Sequence, residues 1–391
     1  MILFGVKKMV HISEREQQLP NQAIEKLIEV MVEDKRVLSL GPGEPDFDLP
    51  KPLVAEVKRL AGQVNHYSPA GGVRELREAI CKKLWKDNKI RANPANVVVT
   101  SGSQEALLLA SAATLDVSEE VLLPNPSYMA FLPTLELLNV SARFFSLDEE
   151  SGFEPNPDMI RKAITGKKTK ALIINSPANP TGNVIRKKVL EEIADIAVQH
   201  NLTIFSDEAY EKIVFDGVKH VSMASLNGMQ NRVLTFQTFS KSFAMCGFRV
   251  GYVVAPQKIA SAIKKTHIYT SICAPTISQK LAIKALSLPR KYTDVMVKEY
   301  DRRRKVIVAR LNGMGLSTPN PKGAFYTFSN IKHLSKNSVK FAFDLLKKEK
   351  VAVVPGSDFG TEGEGYIRCS FATKLPKIEL AMDRLERFIA K

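Results

Sequence analysis

Between residues 97 and 254 the chain alternates short apolar, β-branched runs with helical patterns. Val97-Val98-Val99-Thr100 predicts a strand, and residues 104–109 a helix directly after it. Residues 120–124, 171–175, 202–206, 233–236 and 250–254 predict further strands. Val189, Leu190, Ile193, Ile196 and Ala197 recur at the spacing of one face of an amphipathic helix. Strands apolar along their whole length, separated by helices, imply a mostly parallel sheet covered on both faces. The period changes after about residue 288. A long charged helix then precedes residues 323–326, 351–356 and 366–371, which together predict a second, α+β domain. The first forty-odd residues, ending in Gly41-Pro42-Gly43-Glu44-Pro45-Asp46, predict an irregular arm. The expected division is an arm with part of the small domain (1–47), a large domain (48–288) and a small C-terminal domain (289–391).

Composition narrows the class. With 45% hydrophobic and 25% charged residues in 391, the chain is an ordinary globular protein. No apolar run approaches a membrane span, and the apolar stretch within Met1–Met9 is too short for a secretory signal. Met9 is a second possible start, and the expected compartment is the cytoplasm. Cys81, Cys246, Cys273 and Cys369 are scattered, and no two of the six histidines have ligand spacing, so neither a disulfide framework nor a metal site is expected. The net charge of +15 permits attraction to nucleic acid. Yet basic residues are interleaved with acidic ones, as in Lys187-Lys188-Val189-Leu190-Glu191-Glu192. Asp301-Arg302-Arg303-Arg304-Lys305, the densest run, predicts a solvated helix face, and neither a nucleic-acid nor a membrane partner is expected.

The chemistry-bearing residues gather just past strand ends, where ligands bind in open α/β sheets. Lys241 lies in Thr238-Phe239-Ser240-Lys241-Ser242-Phe243, eight residues before Arg249. Upstream lie Asn175-Ser176-Pro177-Ala178-Asn179-Pro180-Thr181-Gly182 and Ser206-Asp207-Glu208-Ala209-Tyr210. These supply an amine, a carboxylate, a phenol, an amide and a guanidinium, the set needed to hold and run pyridoxal phosphate. A lysine acts as a nucleophile only when neutral, so Lys241 needs burial or cationic neighbours. Asp207, ending an apolar strand, either caps a helix or pairs with a buried cation such as a pyridinium. Tyr210 and Asn179 can reach a phenolate oxygen, although the Asn/Pro/Gly segment also reads as turn chemistry. Ser101-Gly102-Ser103-Gln104 joins a strand to a helix start, a natural phosphate cradle that Thr238 and Arg249 would complete. Tyr128 is a ring for stacking on the cofactor or a core aromatic.

With these motifs stand Asn65-His66-Tyr67-Ser68-Pro69 followed by Gly71, Leu76 and Arg77, then residues 321–326 and 354–360. From about Leu40 to Arg368 the chain resembles the class I/II aminotransferases of the pyridoxal-phosphate fold-type I superfamily, close to archaeal and bacterial aspartate/aromatic aminotransferases. The resemblance implies a mostly parallel seven-stranded sheet in a large domain and a smaller α+β domain. It implies that Lys241 forms a Schiff base with pyridoxal 5'-phosphate and shuttles a proton. Asp207 would hold the pyridine nitrogen, and Asn179 and Tyr210 the phenolic oxygen. Ser103, Gln104, Thr238 and Arg249 would bind phosphate, joined by Tyr67 of a partner subunit, while Tyr128 stacks on the ring. Arg368 and the Gly43 backbone would take the substrate α-carboxylate, with Asn179 beside them. The implied activity is ping-pong transfer of an amino group between an L-amino acid (aspartate, aromatic or broad) and a 2-oxo acid such as 2-oxoglutarate, in a homodimer with shared sites. Pro20-Asn21-Gln22-Ala23 departs from the usual arm sequence and leaves side-chain specificity open. A β-lyase on the same scaffold is the first alternative. A ligand-sensing module is the second, opposed by the complete residue set.

Overall fold

The computed structural model describes residues 11–20 and 23–390; the Met1/Met9 segment, Asn21 and Gln22 lie outside them. Twelve strands occur among the described residues: β1 (Leu38–Ser39), β2 (Val97–Thr100), β3 (Glu120–Asn125), β4 (Ser141–Ser146), β5 (Thr169–Asn175), β6 (Thr203–Asp207), β7 (Val233–Thr238), β8 (Gly251–Val254), β9 (Tyr326–Asn330), β10 (Val351–Ala352), β11 (Val354–Pro355) and β12 (Tyr366–Ser370). Seven form one sheet in the order β2-β8-β7-β6-β5-β3-β4. All its pairings are parallel except those of β8, which runs antiparallel to both β2 and β7.

Successive strand residues point to opposite faces, and both faces are apolar here. Val98, Leu123, Ile173 and Phe236 pack with Leu109 and Ala110 of the helix Ser103–Thr114 and Ile263 of the helix Gln257–Thr270. Val97, Val99, Leu122, Leu172 and Ile204 pack on the other face with Leu76, Ile80, Leu190 and Ile193. Each such side chain, fully withdrawn from water, stabilises the fold by about 2 kcal/mol before entropy is counted. The parallel sheet and the large/small division follow the sequence-based expectation. β4 was not foreseen: Ser-Ala-Arg-Phe-Phe-Ser has no apolar run, because this edge strand buries only Phe145.

The smaller domain carries the antiparallel sheet β11-β12-β9 over a second core that includes Tyr300, Ile307, Phe325, Phe341 and Leu385. The arm is more regular than its sequence predicts. It holds helices Glu14–Gln18 and Ala23–Glu33, and β1 pairs in parallel with β10, Leu38 opposite Val351. Asp358 accepts from the backbone N–H groups of Ala23 (3.2 Å) and Ile24 (3.0 Å), which anchors the second helix through its first turn.

The solvated-face reading of residues 301–305 fails at two positions. Arg303 and Arg304 are 5% and 1% exposed, on the helix Lys291–Gly313. Arg304 donates to Asp216 and Asp301, and Arg303 to Asp46 at 2.7 Å. Buried guanidinium groups of this kind tie the long helix to the loops around it, because each charge is matched. No helix among the described residues is long and apolar enough to cross a membrane.

Candidate active site

Three neighbouring strands of the sheet end together. Thr238, Asp207 and Asn175 are the last residues of β7, β6 and β5, and Asn175 lies opposite Asp207 in register. Asn175 Nδ2 donates to the Asp207 carbonyl (3.1 Å), and its Oδ1 accepts from the Asn179 N–H (2.8 Å). The strand-end ladder thus hands its order on to the loop that carries Asn179. β7 runs into a short helix, Phe239–Ser242, capped by Thr238 Oγ1, which accepts from the Ser240 N–H (3.2 Å). That helix presents Lys241, whose Nζ donates to the Gly43 carbonyl at 2.5 Å.

A cavity of about 300 Å³ lies over these ends. At one side the helix Ser103–Thr114 opens at Gly102 with no side-chain cap. Its first N–H groups and positive dipole end are therefore available to an anion. Gly102 has φ +91°, a conformation that favours glycine, and a Cβ there would lie 2.6 Å from Arg249 Nη2 and displace the guanidinium from the helix start. Arg249 is held by the Cys246 (3.0 Å) and Ser101 (3.3 Å) carbonyls. At the other side Arg368, 2% exposed on β12, donates through Nη1 to Asn179 Oδ1 (3.1 Å) and through Nη2 to the Gly41 carbonyl. Its Nε is buried with no partner, and its guanidinium lies 4.5 Å from the Tyr326 ring centroid.

Burial sets the protonation of the central groups. It pushes the Asp207 carboxyl up to about 6, against the Ala209 N–H and the Lys241 ammonium, while neighbouring Glu208 adds to the rise. The Lys241 amine is lowered by burial, opposed by Cys246 and Glu44. Tyr210 is raised well above the ordinary phenol, first by burial and then by Tyr326. Behind Asp207, Glu208, Glu211 and His220 bring ligand-type atoms within 4.8 Å of one another. The Lys83 ammonium already pairs with Glu211 there. Burial raises the Glu211 carboxyl, but Lys83 and Lys212 outweigh it and hold it at about 2.

The profile of the family described as aminotransferase class I and II matches residues 35–385. The chain is 46% identical over 382 residues to an aspartate aminotransferase of Pyrococcus abyssi, covering 97% of this chain and 98% of that one. It is 43% identical to an aromatic-amino-acid aminotransferase of Thermococcus litoralis, with the same coverage. The crystal structure of an aromatic aminotransferase from Pyrococcus horikoshii superposes with a TM-score of 0.89 at 46% identity, covering 94% of this chain and 98% of that one. The chain belongs to the class I and II aminotransferase family.

In this aminotransferase the expected residues Lys241, Asp207, Tyr210, Asn179, Ser103, Gln104, Tyr128, Thr238, Arg249, Arg368 and Gly43 all line the one cavity. Tyr67 does not; it is 81% exposed elsewhere on the surface. Sequence reasoning missed Ile24, Met129, Ser240 and Tyr326, which also line it. Tyr326 falls in the segment 321–326, to which the sequence attaches no site role. Ile24 sits in the arm, whose helix the sequence pattern did not reveal. The donor set fits the family's cofactor, pyridoxal phosphate: an uncapped helix start and Arg249 for a phosphate, Asp207 for a ring nitrogen, Lys241 for an aldehyde.

Proposed function

We propose that this chain is a pyridoxal-phosphate-dependent aminotransferase moving an amino group between an L-amino acid and a 2-oxo acid, in a homodimer with shared active sites. The observation that carries the reading is the convergence of Lys241, Asp207, Asn179 and Arg368 on one cavity with an anion-binding helix start at its edge. Ser103, Gln104, Thr238 and Arg249 would hold the phosphate, Asp207 the ring nitrogen, Asn179 and Tyr210 the phenolic oxygen, and Tyr128 the ring face. Bound there, the cofactor supplies an electron sink for the charge left when an α-proton is removed.

The chain's own residues then perform the rest. Arg368 binds the α-carboxylate, since a guanidinium offers parallel donors to a carboxylate and Asn179 fixes its plane. Lys241, its pKa lowered by burial, takes the α-proton at Nζ and returns it. Asp207 ionises above about 6 and stabilises positive charge at the ring nitrogen near neutral pH.

Lys241, Arg249 and Arg368 are the lysine and arginine side chains among the described lining residues, and each already has a task. Ile24 and Met129 add apolar wall. This half of the site therefore favours a hydrophobic or aromatic substrate side chain, with 2-oxoglutarate as the expected acceptor and any side-chain cation coming from the partner. The Tyr67 loop supports sharing. Ser68 Oγ bonds Thr276 Oγ1 (2.9 Å), and Ala70 O bonds His267 Nδ1 (2.8 Å), so the exposed Tyr67 projects from an anchored loop rather than a loose one. The same reading takes residues 48–288 as the cofactor-holding domain, 1–47 and 289–391 as the rest, and the cytoplasm as the compartment.

A panel of amino donors offered to the cofactor-loaded enzyme tests this. Conversion of the yellow, lysine-bound absorbance to that of the aminated cofactor, with release of the matching 2-oxo acid, is expected, fastest for aromatic donors. Release of ammonia and pyruvate instead would establish the β-lyase alternative.

A further inference from the structure

A cavity of about 430 Å³, larger than the active-site cavity, lies apart from it. It is enclosed by the helix Arg74–Lys83, the π-helical turn Leu84–Asn88, the end of the helix Thr276–Leu286 and the first turn of the helix Lys291–Gly313. Phe243, Ile283, Leu286, Leu288 and Pro289 make its floor apolar. Lys82, Lys83, Lys86, Lys212 and Arg290 line it against two acids, Asp87 and Asp294. Lys83 pairs with Glu211, Lys212 with Asp87 (2.5 Å) and Arg290 with Asp294 (3.0 Å).

Lys82 and Lys86 are left over. Both are exposed and neither makes an ion pair among the described residues. They stand four residues apart across the junction of the α- and π-helical turns, where like charges repel. π-helical turns are rare and frequently occur at functional sites, and this one carries Lys86 to the cavity. We propose that the cavity is a second binding site, for an amphipathic organic anion: an aromatic or branched carboxylate. Its hydrocarbon body rests on Phe243, Ile283 and Leu286, and its carboxylate lies between Lys82 and Lys86. Apolar burial supplies the affinity and the unmatched cations select the charge.

The position has a consequence for the active site. Phe243 ends the helix that bears Lys241 and stacks on Phe239, ring centroids 5.6 Å apart. Thr293, also lining the cavity, donates to the Ser242 carbonyl at 3.1 Å. A bound anion touches the segment that holds the lysine.

Calorimetric titration of the cofactor-loaded enzyme with 4-phenylbutanoate, which has no amino or oxo group to exchange, tests the site. It reads binding rather than turnover, so it stands or falls apart from the aminotransferase assignment. Because an aromatic carboxylate also fits the active site at Arg368, the titration is read in the Arg368→Lys enzyme, where that site is weakened and saturable binding of a single equivalent per chain is expected at the second cavity. Lys82→Glu/Lys86→Glu should weaken it by about tenfold or more, the loss of a charge-assisted contact. Neutral 4-phenylbutanamide should bind weaker by a similar factor. Leu286→Trp, filling the floor, should abolish binding; should it unfold the protein, the surface lysine pair still decides the matter. Absence of saturable binding overturns the proposal. So does binding lost in Arg368→Lys but kept in Lys82→Glu/Lys86→Glu, or equal affinity for acid and amide.

Discussion

Tyr210 and Tyr326 share a hydrogen bond of 2.7 Å between their phenol oxygens, and it joins the large domain to the small one at the floor of the active site. Tyr326 also packs under the Arg368 guanidinium, and a Cβ at Gly43 would reach its hydroxyl at 2.5 Å. One small-domain residue thus touches the surroundings of three others implicated in binding. Tyr326→Phe keeps the ring and removes the oxygen. It should cost about 1 kcal/mol in stability through the unpaired Tyr210 hydroxyl. It should also speed cofactor dissociation, measured by dialysis against absorbance. Unchanged stability and unchanged retention would show that the phenol pair is incidental.

Asp207 carries a sign that stability measurements can read. Its carboxyl rises from an ordinary 3.8 to about 6 on folding, mainly through burial. The folded state therefore binds the proton more tightly than the unfolded state. Its contribution is favourable at low pH and is lost as pH rises from about 4 through about 6. In the cofactor-free protein, Asp207→Asn should be the more stable form by about 2 kcal/mol at about pH 7.5, and the gap should narrow by about pH 5. Denaturant titrations at both pH values check this. A gap independent of pH would remove Asp207's ionisation from the account. Adding cofactor should reverse the order at neutral pH, because the carboxylate then has a cationic partner.

Arg368→Lys should raise KM for amino acids and 2-oxo acids together. An ammonium cannot reproduce two parallel hydrogen bonds, and Asn179 and the Gly41 carbonyl lose their donor. A loss of about 2 kcal/mol corresponds to roughly thirtyfold in apparent affinity. Steady-state kinetics with both substrate classes decide it. An increase confined to one class would place the α-carboxylate elsewhere. Cofactor absorbance should be unaffected.

Tyr67 is the test of site sharing. In a purified hybrid dimer of Tyr67→Phe and Lys241→Ala chains, sharing puts both lesions in one site and leaves the other intact. The lysine-bearing site should then release cofactor at the wild-type rate. If Tyr67 served its own chain, that site would release cofactor as fast as the Tyr67→Phe homodimer does. An active monomer in sedimentation would end the dimer proposal.

The large sheet and most of the residues that line the candidate cavity are legible along the chain. Runs such as Val121-Leu122-Leu123 and Leu172-Ile173-Ile174 are apolar at every position, and a strand with two buried faces has few arrangements other than a covered, mostly parallel sheet. Lys241, Asp207, Asn179 and Arg249 were legible because strand-end positions converge wherever the strands lie side by side. The rest follows from packing between distant elements. β4 exists by backbone pairing with β3, since a half-exposed edge strand leaves little hydrophobic pattern to read. Arg303 and Arg304 are buried because Asp46, Asp216 and Asp301 meet them, partners that a charge run does not announce. Ile24 and Tyr326 reach one cavity from segments about three hundred residues apart. Periodicity along a chain encodes how each element is buried; which distant side chains share a pocket depends on how the finished elements dock.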